Sequence, residues 1–445
     1  MRKIAKKLGI DGAIAFTILS RIIQACGGLV SLIFIARYLS ADEQGYYYTF
    51  ASILAIQVFF ELGLSGIITQ YTAHEFAHLR FSVSKELTGD EYYKSRLSSL
   101  LHFCVKWFGI IAFLLFFVLL GAGFYFFNKF NKELSIDWQL PWLILCFSTS
   151  LNLFIDPILG YFDGLGEVKD MAKLRLIQKS SYVVLLFIFF ACDLKLYSGA
   201  LASLICILIN YLQIIFSDRI VILKVVWRAK SEWVIDYVKE IFPFQWKIAL
   251  SWISGYLIFQ LFNPVLFATD GAVAAGQMGM TLQVLNGIAS LSMSWVTTKI
   301  PVFSEYIALK NHLLLNQLFK KTIKNQMLVN FILLVIFIIG LVILRSGASS
   351  YSIRFLPIIP SVFLSLVCFA NQLAFSWATY LRCHKQEPFL MNSVVMGILS
   401  MCSTLVLGHY YGLIGIVNGY TFITLVIGLP WAYLIFERKK AEWQK

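Results

Sequence analysis

The chain has 445 residues, of which 59% are hydrophobic and only 14% charged, where a soluble domain carries about 25% Asp, Glu, Lys and Arg. With a mean hydropathy of +0.76, so much apolar surface cannot be hidden in one water-soluble core, which excludes a soluble globular enzyme. The formal charge of +13 raises nucleic acid as a partner, a reading that depends on where Lys and Arg lie along the chain.

Long apolar runs broken by charge, Gly or Pro predict twelve spans, near 14–36, 47–72, 105–127, 141–162, 180–197, 199–216, 248–267, 276–298, 327–345, 356–379, 388–409 and 413–436. The least marked boundary is between the fifth and sixth, where only Asp193, Lys195 and the Ser198-Gly199 step interrupt an apolar stretch; a single re-entrant element there would change the count. Placing the N-terminus in the cytoplasm puts 30 of the 37 Lys and Arg inside. That bias predicts cytoplasmic termini and accounts for the positive charge without nucleic acid. The run after Met1–Lys7 is longer than a signal-peptide core and no small-residue cleavage site closes it, so it reads as a retained first helix. Eight dispersed cysteines read as small core residues, not as a disulfide framework or zinc cluster. Segments 81–98 and 221–241 combine charge with aromatics at helical spacing and read as helices lying along the inner surface.

The first outer hairpin, Leu39-Ser40-Ala41-Asp42-Glu43-Gln44-Gly45, and the link Ala268-Thr269-Asp270-Gly271 to Gly276 both place Asp shortly before a Gly that opens the next helix. Gly45 to Glu75 is 30 positions and Gly276 to Glu305 is 29. The expectation is an all-α polytopic membrane protein of two six-helix halves in parallel repeat. It divides into an N-terminal lobe over 1–216, a cytoplasmic linker with an amphipathic helix over 217–247 and a C-terminal lobe over 248–445.

A charge near the bilayer centre costs at least about 2.5–3.5 kcal/mol, so an intramembrane ionisable group normally faces a cavity or a partner. Arg21, Glu61 and Asp156 qualify, and counting from span midpoints puts all three in one layer, about 3–6 Å to the cytoplasmic side. Arg21 offers a fork matched to phosphate. Glu61 and Asp156 would hold it when the site is empty, or titrate with a coupling H⁺ or Na⁺; a permanent bridge from Arg21 to Glu61 is the structural alternative. Gln24, Gln57, Asn152, Gln260 and Asn263, with Gln283, Asn371, Gln372 and Asn418, add uncharged groups suited to sugar hydroxyls or to tying helices together. Pro157 and Pro264 are candidate kinks.

His74-Glu75-Phe76-Ala77-His78 fits H-E-x-x-H, two imidazoles one helical turn apart with a carboxylate that activates water. Asp163, Glu86 and Glu91 are the candidate third ligands of a membrane zinc metalloprotease. Against that reading, most of twelve spans would have no task and Glu305 has no histidines around it.

The stretches Ala36-Arg37-Tyr38-Leu39-Ser40-Ala41-Asp42-Glu43-Gln44-Gly45-Tyr46, Phe60-Glu61-Leu62-Gly63-Leu64 and Gly160-Tyr161-Phe162-Asp163-Gly164-Leu165-Gly166-Glu167-Val168 resemble the polysaccharide flippases, the O-antigen transporter family. Multidrug exporters and the lipid II flippase belong to the same superfamily. The resemblance implies a V-shaped bundle of two six-helix lobes, opening alternately to either side. It implies no enzymatic activity and no cofactor beyond a coupling H⁺ or Na⁺. The cargo would be an undecaprenyl-diphosphate-linked oligosaccharide, a repeat unit of O-antigen, capsule or exopolysaccharide, moved to the outer leaflet of a bacterial inner membrane. Membrane lipid, a polysaccharide polymerase and chain-length proteins are the implied partners. Arg21 matches the first-helix arginine that grips diphosphate in lipid II flippases, while Asn263 stands where many relatives carry an acidic residue. Lys106, Lys179, Lys247 and Lys299, at the inner ends of four spans, would attract the headgroup or simply anchor the helices. A multidrug or cation antiporter is the alternative within the same superfamily.

Overall fold

The computed structural model describes residues 12–82, 86–131, 136–229, 233–347, 350–384 and 386–443. Helices dominate, as they must where lipid supplies no partner for backbone polar groups. In chain order they are α1 (Gly12–Tyr38), α2 (Ala41–Leu54), α3 (Val58–Glu61), α4 (Leu64–Phe76), α5 (Glu91–Phe130), α6 (Gln139–Gly164), α7 (Val168–Ala191), α8 (Tyr197–Ile215) and α9 (Arg219–Arg228). Then follow α10 (Phe242–Phe259), α11 (Phe262–Thr269), α12 (Ala272–Thr297), α13 (Ile300–Ala308), α14 (His312–Ser346), α15 (Ile358–Arg382), α16 (Leu390–Phe422) and α17 (Leu429–Trp443).

Among the described residues, nine helical stretches are long and apolar enough to cross a membrane. The last, Leu390–Trp443, holds two of the expected spans, because α16 turns at Gly412 (φ 54°, ψ −136°). Asp270 accepts a hydrogen bond from the Leu413 amide at 2.7 Å and fixes that turn. Ile22–Tyr38 is a shorter apolar helix, and α12 occupies the eighth expected span, so each predicted span meets a helix. The fifth and sixth are separate: Asp193 and Lys195 take positive φ (57° and 48°) and turn α7 into α8, which packs back on it.

Several local expectations are corrected. Two short strands, β1 (Leu79–Phe81) and β2 (Leu87–Gly89), pair antiparallel. Asp90 caps α5 through the Tyr92 amide at 2.9 Å, and the helix then runs 40 residues into the membrane region. The segment 81–98 is therefore no surface helix. Among the described residues of 221–241, the α9 end is α-helical and Tyr237–Ile241 is one π-helical turn begun by Asp236. The fourth span remains continuous through Pro157. In the seventh, the interruption falls at Gln260–Leu261, and Pro264 sits in the first turn of α11, where a missing N–H costs nothing.

Two compact units are present: Met1–Gly27 with Ile53–Trp252, and Gly28–Ser52 with Ile253–Lys445. In the first, α4, α5 and α8 pack on α6; the Thr69 hydroxyl donates to the Gly160 carbonyl at 2.9 Å and Tyr161 to that of Leu97 at 3.0 Å. In the second, Ser40 and Glu43 form a reciprocal capping box at the start of α2 (2.7 and 3.0 Å). A Cβ on Gly45 would collide with the Ala272 carbonyl, and one on Gly276 would lie 2.9 Å from the Gly45 nitrogen. The two glycines aligned by the repeat therefore touch. The repeat weakens at its far ends: Glu75 is buried and Glu305 exposed.

Candidate functional site

Glu61 and Asp156 both lie inside candidate spans, in the first unit. What places Glu61 is a break in the second span. After α2 the chain tightens into a 3-10 turn, Ala55–Gln57, then α3 ends at Glu61, with Leu62 (φ 50°) and Gly63 (φ 71°) both left-handed before α4 begins. The N-cap residue of α4, Gly63, has no side chain with which to cap its first amides. Gly63 is needed twice over: by its φ, and because a Cβ there would lie 2.5 Å from Ile248 Cγ2.

On α6, Asn152 donates its amide to Asp156 Oδ2 at 2.7 Å, one helical turn away. Asp156 is within electrostatic range of Glu61, Arg175 and Lys179. Arg175 pairs with Asp163 at 2.6 Å, and the Tyr211 hydroxyl, also within range of Asp156, donates to the Leu151 carbonyl at 3.0 Å. The first unit thus places two carboxylates and an amide inside candidate spans, with Arg175 and the exposed Lys179 within electrostatic range of Asp156. Acidic side chains at such positions normally face a cavity or a cationic partner, so the pair is suited to attract a cation or a cationic side chain. The backbone of Arg21 lies in α1; its side chain lies outside the described residues. Gln24 is exposed and Gln57 half-buried in the 3-10 turn.

Gln260 and Asn263 belong to the second unit, on either side of the break between α10 and α11. Asn263 is buried and donates to Ser52 at 3.0 Å. Gln283 accepts from Tyr48 (2.6 Å) and donates to the Gly28 carbonyl (2.5 Å), Gln372 accepts from Gln326 (2.9 Å), and Asn371 donates to Tyr420 (3.1 Å). These last three tie helices together. Lys106, Lys179, Lys247 and Lys299 are all exposed.

The histidine motif resolves differently. Glu75 is 2% exposed and His74 76%. Arg96 donates Nε to Glu75 at 3.0 Å and Nη2 to Glu240 at 2.6 Å, while Tyr71 donates to the Glu240 carbonyl at 2.6 Å. His78 stacks on Tyr93 with ring centres 3.9 Å apart. Asp163 is held by Arg175 and Glu91 by Lys94, and no three His, Cys, Asp or Glu converge on a metal position among the described residues. The would-be catalytic carboxylate is the centre of an ion-pair network. Sequence reasoning missed Arg96 and Glu240 because they are distant in the chain and share no motif with Glu75.

The chain matches the family described as polysaccharide biosynthesis protein over residues 13–307. It belongs to that family. No curated protein matches it. Among solved structures, an inward-facing multidrug resistance MATE family transporter of the MOP superfamily aligns with a TM-score of 0.66 at 14% identity, over 96% of this chain and 95% of that one. The lipid II flippase MurJ, in an inward closed conformation, aligns at 0.56 and 14% identity, over 97% and 90%. The chain shares the fold of these polytopic membrane proteins, as the resemblance of the three sequence stretches implied.

Proposed function

We propose that the protein is a flippase that carries a polyprenyl-diphosphate-linked oligosaccharide from the cytoplasmic to the outer leaflet of a bacterial inner membrane. Membership of a polysaccharide biosynthesis family carries this reading, and the charged layer of the first unit supports it. A diphosphate-sugar headgroup cannot cross hydrocarbon unaided, whereas fixed charges in a hydrated pocket replace most of the hydration it loses. The prenyl tail stays in lipid.

In this reading Arg21 grips the diphosphate. Gln24, Gln57, Asn152, Gln260 and Asn263 meet the phosphate and sugar oxygens. Glu61 and Asp156 release Arg21 to the substrate, coupled to H⁺ or Na⁺ or to substrate alone. Lys106, Lys179, Lys247 and Lys299 raise the local concentration of anionic headgroups at the cytoplasmic mouth. Both termini are cytoplasmic, the chain performs no covalent chemistry, and it works with a polymerase and chain-length proteins.

The Glu61 and Asp156 carboxylates also favour a second reading, export of cationic drugs, since two acids at membrane depth attract cations. One substitution separates the two. Arg21→Ala is expected to abolish surface polysaccharide while the protein still inserts; unchanged polysaccharide, with loss of cationic-dye efflux on Asp156→Asn, would favour the exporter.

A further inference from the structure

At the end of α14 opposite Lys320, Lys321 and Lys324 stands Arg345. Its Nε is buried with no hydrogen-bond partner among the described residues, and Nη2 comes only to 3.5 Å from the Phe355 carbonyl. A guanidinium N–H withdrawn from water with no acceptor is unfavourable unless something else supplies one. Arg345 lines a cavity of about 840 Å³ in the second unit, together with Asp270, Pro357, Phe363, Tyr411 and Asn418. Arg345 and Asp270 share this space without forming an ion pair: Asp270 Oδ2 takes the Leu413 amide at 2.7 Å. The remaining wall is mainly apolar, and Ile359, Tyr411 and Ile414 are exposed by 69%, 69% and 63%.

A simple anion here would meet the repulsion of Asp270, and a simple cation that of Arg345. A ligand that carries both signs a few ångströms apart, with apolar chains attached, satisfies both groups and covers the exposed side chains. We infer that the cavity holds the headgroup of an aminophospholipid, with its phosphate on Arg345 and its primary ammonium on Asp270. Its chains lie over Ile359, Tyr411 and Ile414. This resident lipid differs from the proposed cargo, whose diphosphate has no ammonium, and the inference does not depend on that cargo.

The test uses the full-length protein purified in detergent, with retained lipid measured by native mass spectrometry after competition between phosphatidylethanolamine, phosphatidylglycerol and polyprenyl phosphate. Phosphatidylethanolamine is expected to be retained about tenfold better than either anionic lipid, the scale of one charge-assisted hydrogen bond. Arg345→Gln should lower its retention about tenfold. Asp270→Asn, whose amide oxygen still accepts from Leu413, should erase the preference over phosphatidylglycerol. Equal or better retention of phosphatidylglycerol or polyprenyl phosphate by the wild-type protein overturns the assignment. So does unchanged phosphatidylethanolamine retention in a well-folded Arg345→Gln protein. If that variant fails to fold, the wild-type competition alone decides.

Discussion

At the scale of single residues, the network around Arg96 shows how charge is managed near the end of a candidate span. Glu75 is almost wholly buried and pairs with the Arg96 guanidinium 3.0 Å away. Arg96→Ala should destabilise the protein by about 3–5 kcal/mol, the cost of stranding a buried carboxylate. The loss is measurable as a fall in melting temperature in detergent. Glu240, outside the spans, is held below the usual glutamate range by the same guanidinium. A carboxylate with a lowered folded pKa contributes stability above its ordinary pKa of about 4.3 and loses it as pH falls through the folded value. Wild type should therefore melt above Glu240→Gln at neutral pH, and the gap should close on acidification from about pH 4 downward; a gap that widens in acid would contradict the pairing. None of this was legible in the sequence. His74-Glu75-Phe76-Ala77-His78 advertised a local spacing, but a carboxylate's role depends on its neighbours in space, and Arg96 is 21 positions away.

Among elements, the broken second span matters most to the site. The sequence signalled the span as one apolar run, and it contains no proline at the break. What ends α3 is a left-handed pair at Leu62 and Gly63, and leucine adopts that conformation only where its surroundings enforce it. Gly63→Ala would add strain at φ 71° and a contact 2.5 Å from Ile248, together on the order of 1–3 kcal/mol. The variant should insert but lose most transport; near-normal transport would show that the break is incidental. The strand pair β1 and β2 was hidden for a related reason: its strands are three residues each, too short for alternation to show against helical spacing. Of the interruptions the sequence offered between α7 and α8, Asp193 and Lys195 make the turn by taking positive φ, while Ser198 and Gly199 lie inside α8.

For the whole molecule, the sequence was most informative where the physics is least local. Apolar runs of span length require only the thickness of a bilayer, and each of them meets a helix. The repeat was legible from two glycines, and their contact explains why: close approach of two helix starts admits no Cβ at either position. Partnerships were not legible. Nothing in composition distinguishes Asn152, which supports Asp156, from Gln283 and Gln372, which join helices. The central claim is that a charged layer inside this bundle lowers the barrier for a diphosphate headgroup. Its most direct measurement is the transbilayer movement of a fluorescent polyprenyl-diphosphate oligosaccharide in vesicles reconstituted with the wild-type protein, Arg21→Ala or Asp156→Asn. The account predicts movement well above that of protein-free vesicles and at least about tenfold slower in each variant, the loss expected from one charge-assisted contact. Wild-type movement no faster than in empty vesicles, or variants as fast as wild type, would contradict it.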